Sequence, residues 1–157
     1  MNYVADFETT TLSKQDELDL ENGRKRLDDF HTEVWGYGLV KVGETENITI
    51  GNSIDHFFKE IRTLGNINVY FHNLKFDGMF IMDHLLRNGY TYDSSGKTEK
   101  SFSMLMNDMG VMYTIEVIEE IKGKRKHRIK FLDSLKKLPF SVDRIATAFN
   151  LDFKKLS

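Results

Sequence analysis

Apolar and polar positions change their period several times along the chain, and each change marks an element. Tyr3, Val4 and Ala5 open an apolar run that reads as a short buried strand and ends in Asp6-Phe7-Glu8-Thr9. Side chains alternate across a strand, so Asp6 and Glu8 share one face while Phe7 takes the other. From Ser13 to Glu33 the chain is polar and mixed in charge, which predicts a surface insertion. It is either a loop or a short helix over Asp16 to Leu27. Val34 to Val42 sets Trp35, Tyr37 and Leu39 against Gly36 and Gly38 and predicts a second strand. Glu44-Thr45-Glu46 turns it into a third, Asn47 to Ile50, completing a mainly antiparallel meander.

Beyond Gly51-Asn52-Ser53 the period becomes helical. Ser53 is a candidate N-cap, and Ile54, Phe57, Phe58 and Ile61 form one apolar face. Asn68 to Phe71 reads as a short strand. Phe76 to Arg87 returns to helical spacing through Met79, Phe80, Met82, Leu85 and Leu86, and Asn88-Gly89 stops it. Phe102 to Met106, Val111 to Ile118 and Arg128 to Leu132 read as strands, with a hairpin turn at Lys122-Gly123-Lys124. A last helix is expected from Ser141 through Ile145 and Phe149, stapled by Phe140. A sheet followed by helices interleaved with more strands is an α/β arrangement, a mixed sheet flanked by helices.

Composition narrows the function classes. At 157 residues, 40% hydrophobic and 29% charged, the chain reads as one globular domain, with no apolar run long enough to cross a bilayer and no export leader. The absence of cysteine excludes disulfides and thiolate metal sites. A net charge of −2 gives no global signal for nucleic acid, but basic residues gather at Lys122, Lys124, Arg125, Lys126, Arg128 and Lys130. That cluster reads either as a track for a DNA backbone or as a solvated edge that blocks sheet pairing.

Two stretches carry chemistry. Side-by-side carboxylates at a strand end repel each other, and a hard divalent cation is a direct remedy. Read without their context, Asp6 and Glu8 are equally an ordinary polar edge. Tyr70-Phe71-His72-Asn73-Leu74-Lys75-Phe76-Asp77-Gly78 lies where a strand hands over to a helix, the place where ligands gather in open α/β sheets. Asp77 falls in the first helical turn, and Asn73 can cap that helix or meet a ligand. Tyr70, Phe76 and Phe80 offer aromatic faces for base stacking, with core packing as the competing reading. His72 reads as a core or phosphate-contacting group before a metal ligand.

These two stretches, followed by Asp133-Ser134-Leu135-Lys136-Lys137-Leu138-Pro139-Phe140, closely resemble the N-terminal 3′–5′ exonuclease domain of protein-primed family B DNA polymerases of the phage and linear-plasmid type. The motifs stand in family order and the resemblance covers nearly the whole chain. It implies an RNase H-like fold of the DnaQ exonuclease type. It also implies a proofreading role in DNA replication, in which phosphodiesters at single-stranded DNA 3′ ends are hydrolysed with two Mg²⁺ or Mn²⁺ ions. Residue by residue, Asp6, Glu8 and Asp77 match the catalytic, metal-binding carboxylates. Thr9, Tyr70, His72, Asn73, Phe76 and Phe80 match positions that hold the single strand, and Ser134 and Leu135 match a further DNA-contacting pair. Lys155 lies near a catalytically helpful lysine of the family. The implied partners are single-stranded DNA, the remainder of the polymerase and a priming terminal protein, in a bacterial host's cytoplasm if a phage encodes the chain.

The family's third motif, Tyr-x-x-x-Asp, lies beyond the Leu-Pro-Phe segment. No tyrosine follows Tyr113, and Asp143 and Asp152 are the aspartates after that segment. The expectation is therefore a single exonuclease-like domain over 1–157, incomplete at its C-terminal end and weak or inactive as a nuclease by itself. The alternative is a non-catalytic module derived from that domain, which binds single-stranded DNA or a protein.

Overall fold

A computed structural model describes residues 1–10, 12–27, 33–43, 47–106 and 112–133, with the backbone alone at Met112 and Tyr113. Strand β1 (Asn2–Thr9) is followed by helix α1 (Lys14–Glu21), β2 (Val34–Lys41), β3 (Ile48–Gly51) and α2 (Ile54–Arg62). Then come β4 (Ile67–Phe71), α3 (Leu74–Arg87), β5 (Thr91–Tyr92), β6 (Ser101–Met106), β7 (Met112–Lys122) and β8 (Arg125–Asp133). Among the described residues the eight strands make one sheet in the order β3-β2-β1-β4-β8-β7-β6-β5. The β1-β2-β3 meander is antiparallel as expected, and β4 and β8 run parallel to β1. The sheet is therefore mixed. Among the described residues no helix is long and apolar enough to cross a membrane.

Alternation along β1 divides the molecule. Tyr3, Ala5 and Phe7 enter the main core, which α1, α2 and α3 cover with Leu20, Phe57, Phe58, Ile61, Leu74, Phe76, Phe80, Ile81 and Leu85. Phe57 is its hub, with ring centroids 5.0 Å from Phe7, 5.2 Å from Tyr37, 5.5 Å from Phe58 and 6.1 Å from Phe71. The other face carries a small cluster of Val4, Val40, Tyr70 and Leu132. Asp6 and Glu8 share the alternation of Val4 and belong to that face.

The helices form for local reasons. Ser53 caps α2 by accepting a hydrogen bond from the His56 N–H at 3.1 Å, and Ser13 caps α1 likewise through Asp16 at 3.1 Å. Helix α1 starts two residues before the expected Asp16 and ends at Glu21, well short of Leu27. On α3 the buried residues are Leu74, Phe76, Asp77, Gly78, Phe80, Ile81, His84 and Leu85, whereas Leu86 is 60% exposed, against the expectation. Gly123 opens the β7–β8 hairpin with φ +61°, a conformation glycine adopts without strain. The expected helix from Ser141 and the turn at 44–46 lie outside the described residues.

Three register shifts interrupt the ladders of the described strands, one of them between β6 and β7 at Leu105/Met106. Between β1 and β2 the register steps from Glu8↔Gly36 to Thr9↔Val34, which makes Trp35 the extra residue of the bulge, 48% exposed. Between β7 and β8 it steps from Ile118↔Arg128 to Glu120↔His127, which makes Glu119 the extra residue. Glu119 turns inward. It accepts a hydrogen bond from the Tyr90 hydroxyl at 2.6 Å and pairs with Arg62 and Lys100, each at 3.4 Å.

Candidate functional site

Strand β1 delivers Asp6 and Glu8 near its C-terminal end, and α3 begins at the corresponding end of its parallel neighbour β4. That handover brings the first turn of α3, with Asp77, to the same end of the sheet. Asp77 is 7% exposed. Its carboxyl is held well above the usual carboxylate range, first by burial and then by the charges of Asp6, Glu8 and Glu17. Asp6 is pushed up to about 7, chiefly by burial and then by the charge of Glu8 and a hydrogen bond shared with it. Three carboxyl groups from β1 and α3 thus feel one another. Opposite them on β2, Asp6 pairs with Gly38 and Glu8 with Gly36, so this face of the neighbouring strand carries no side chain beside either acid.

A divalent cation suits this donor set in its chemistry, because crowded and partly desolvated carboxylates gain most from a hard positive charge. The chemistry fits. As it stands, no group of three or more His, Cys, Asp or Glu among the described residues is closed tightly enough to hold an ion. Asp6, Glu8 and Asp77 would hold such ions by drawing together around them.

The remaining expected residues divide into three sets. Thr9 ends β1 half-buried, and His72 and Asn73 are exposed in the short connection between β4 and α3. Asn73 occupies the N-cap position, yet its side chain makes no cap hydrogen bond; its carbonyl receives the N–H of Asp77 at 2.9 Å instead. The expectation of His72 as a core group is thereby corrected, since β4 ends one residue before it. Tyr70 is 8% exposed on the carboxylate face, where it packs with Val4 and Leu132. Phe76 and Phe80 pack edge-to-face at 5.3 Å inside the main core, so packing claims most of both rings. Ser134, Leu135 and Lys155 lie outside the described residues.

Two features were not anticipated from the sequence. Glu17 on α1 adds its charge to the field at Asp77, and the clue available was its i, i+4 spacing from Glu21, which pairs with Lys75 of α3 at 3.8 Å. The basic hairpin lies at the opposite end of β8 from Asp133, away from the carboxylates. Strands β7 and β8 are interior, but β6 pairs β7 only as far as Ile118 and β4 pairs β8 only from Ile129, so among the described residues the basic end of the hairpin is paired with itself alone and the edge-blocking reading stays open. Part of the basic charge is matched locally: Lys122 by Glu120 at 3.3 Å, and Arg128 and Lys130 by Glu116 at 3.7 and 3.9 Å. A cavity of about 560 Å³ opens between the N-terminus of α2 and the C-terminal half of α3, and none of the three carboxylates lines it.

Comparison with known proteins agrees with the fold. Residues 59–157 match the family model for DNA polymerase type B, organellar and viral. The DNA polymerase of Bacillus phage M2 is 38% identical over 98% of this chain, and that of Bacillus phage phi29 is 37% identical over the same share. Each match takes up 24% of the relative, so the chain spans about a quarter of the length of these curated relatives. The solved structure of phi29 DNA polymerase complexed with primer-template DNA and incoming nucleotides superposes with a TM-score of 0.71 at 35% identity, over 93% of this chain and 22% of that one. A phi29 polymerase structure complexed with single-stranded DNA gives 0.70 at 36% identity, over 93% and 23%. The expected α/β fold, a mixed sheet of the RNase H-like type, is borne out. The chain belongs to the type B DNA polymerases of organelles and viruses, and within them it is similar to the phi29-like, protein-primed phage polymerases.

Proposed function

We propose that the chain is the 3′–5′ exonuclease portion of such a polymerase, binding the 3′ end of single-stranded DNA and hydrolysing its terminal phosphodiester. The observation that carries this reading is the meeting of Asp6 and Glu8 on β1 with Asp77 in the first turn of α3, beside a strand that presents only Gly36 and Gly38. Two divalent cations, Mg²⁺ or Mn²⁺, would supply Lewis-acid stabilisation of the phosphoryl group and a nucleophile at neutral pH.

The chain's own residues do the rest. Asp6 is hydrogen-bonded to Glu8 and its charge acts on Asp77, and Asp6, Glu8 and Asp77 would together hold the ions. Thr9, His72 and Asn73 carry donors at the strand end for phosphate and sugar oxygens. Tyr70 walls the same face, while Phe76 and Phe80 hold α3 in place and offer their edges. Ser134, Leu135 and Lys155 extend the grip by resemblance to the family. Single-stranded DNA, the remainder of the polymerase and a terminal protein are the proposed partners, in a bacterial host's cytoplasm.

The test is incubation of the purified chain with 5′-labelled single-stranded DNA and Mg²⁺ or Mn²⁺, beside an Asp6→Ala control. A ladder shortening from the 3′ end, abolished in the control, supports the exonuclease. An uncut oligonucleotide that still binds fits a domain that is inactive without the family's third motif, or the binding-module alternative. A chain that neither binds nor cuts overturns both.

A further inference from the structure

We propose that the tip of the β7–β8 hairpin forms a basic groove that takes the phosphate backbone of a DNA duplex, at the end of the sheet remote from the carboxylates. Strand register sets the distance between the two places. Ala5, Phe71 and Asp133 lie side by side across β1, β4 and β8, so Asp6 and Glu8 stand at the Asp133 end. Arg125 begins β8 at the other end, about 26 Å away along an extended strand. The surface therefore goes beyond the exonuclease reading and does not depend on the three acids.

Past Ile118 on β7 and before Ile129 on β8 the hairpin continues as a two-stranded ribbon. Hydrogen bonds from neighbouring turns brace it. The Ile121 N–H donates to Glu99 Oε1 at 2.8 Å, and Lys126 Nζ donates to the Gly96 carbonyl at 2.6 Å. In the turn before β4, the Gly65 carbonyl accepts from His127 Nε2 and Asn66 Oδ1 accepts from the Arg128 N–H, both at 2.8 Å. A hollow of about 390 Å³ opens between that turn and Lys122, Arg125 and Lys126. A second, of about 240 Å³, shares Asn66 and is flanked by Arg128 and Lys130. With the Gly65 carbonyl and Asn66 Oδ1 already engaged, the side chains here offer a ligand chiefly N–H donors and positive charge. Lys122 is matched by Glu120, and Arg128 and Lys130 share Glu116, whereas the exposed Lys124 and Arg125 have no ion-pair partner among the described residues. A hairpin that only shields a sheet edge needs charge but no groove. Among the described residues, no phenylalanine, tyrosine or tryptophan lines either hollow. The stacking platforms that grip unpaired bases are thus missing, and the groove suits a backbone whose bases are stacked inside a duplex.

The test uses a dumbbell DNA duplex, closed at both ends so that it has no 3′ end and labelled internally with fluorescein. It is titrated with the full chain in EDTA over a range of salt concentrations, and binding is read by anisotropy. This readout needs neither metal nor cleavage, so it stands or falls apart from the exonuclease reading. The parent binds the duplex, with log K falling linearly as log salt rises. Lys124→Ala together with Arg125→Ala removes the two unmatched cations. Duplex affinity then drops roughly 10-fold at low salt, and the salt slope becomes shallower by about 1 to 2. Lys124→Arg together with Arg125→Lys keeps both charges and binds as the parent does. A labelled oligothymidine, titrated beside the duplex, loses less affinity than the duplex in the alanine variant. Three results would each overturn the proposal: no duplex binding by the parent, an alanine variant within about twofold of the parent at an unchanged slope, or an equal loss for duplex and oligothymidine. The last would assign the groove to single strands.

Discussion

Replacing Asp6 by asparagine keeps the size of the side chain and removes its charge, which isolates what ionisation at this position costs the fold. In the folded chain the Asp6 carboxyl is pushed up to about 7 from 3.8, mainly by burial and then by Glu8. A carboxyl raised in this way binds a proton more readily folded than unfolded, so its stabilising protonation is complete below about pH 4. That contribution is lost as pH rises through about 7. Ionised Asp6 therefore costs the metal-free fold about 4 kcal/mol by pH 8. Asparagine recovers part of this, about 1–3 kcal/mol, because its amide must still be desolvated. For a chain of this size that is a rise in Tm of roughly 2–12 °C. The assay is thermal or urea unfolding of both proteins in EDTA across pH 4.5 to 8. The variant's advantage grows with pH, and added Mg²⁺ or Mn²⁺ narrows it by stabilising the parent. Equal stability at pH 8, or an advantage of the same size at pH 4.5, would show that charge burial at Asp6 is not what the site stores.

Other positions give sharper structural checks. Phe57→Ala empties the hub of the aromatic core and is expected to lower unfolding stability by about 3–5 kcal/mol in urea titrations. Glu119→Ala removes a carboxylate that is 6% exposed and takes the partner of Arg62, Tyr90 and Lys100 away, and a loss of about 2–4 kcal/mol is expected by the same titration. Gly51→Ala drives a methyl group into the Tyr37 ring and His56, whose hydrogen bond is 2.6 Å long, and about 1–3 kcal/mol should be lost in thermal unfolding.

What the sequence made legible was local. Ser53 and its apolar face, the Gly123 hairpin and the alternation that pairs Asp6 with Glu8 depend on neighbours within a few residues, and each appears in the structure as expected. What it concealed depends on pairing across the sheet. Trp35 matches Tyr37 and Leu39 in spacing, and nothing in its own stretch reveals that Thr9 will pair with Val34 instead. Glu119 looks like one of two surface glutamates until the second bulge turns it inward. Helix α1 shows almost no apolar period, since Leu20 is its one buried residue, and its docking is visible only once Lys75 stands beside Glu21. Phe76 and Phe80 satisfy both a core stripe and an aromatic ligand motif, and burial decides how much of each ring packing takes.

The first bulge also explains how one strand serves two incompatible faces. A slip of one residue in β1 would send Asp6 and Glu8 into the aromatic core and expose Phe7. The register that prevents this is fixed on both sides: Tyr3↔Val69 and Ala5↔Phe71 against β4, and an unbroken ladder against β2 from Tyr3↔Lys41 to Glu8↔Gly36. The extra residue enters only after Glu8. Both acids are therefore held by regular pairing, while the next position on β2 is released from it. Had the bulge fallen two residues earlier, Glu8 would have lost its glycine partner and the carboxylate face its clearance. Placed where it is, the bulge leaves the acid pair in register and makes the next residue, Trp35, the extra one, 48% exposed.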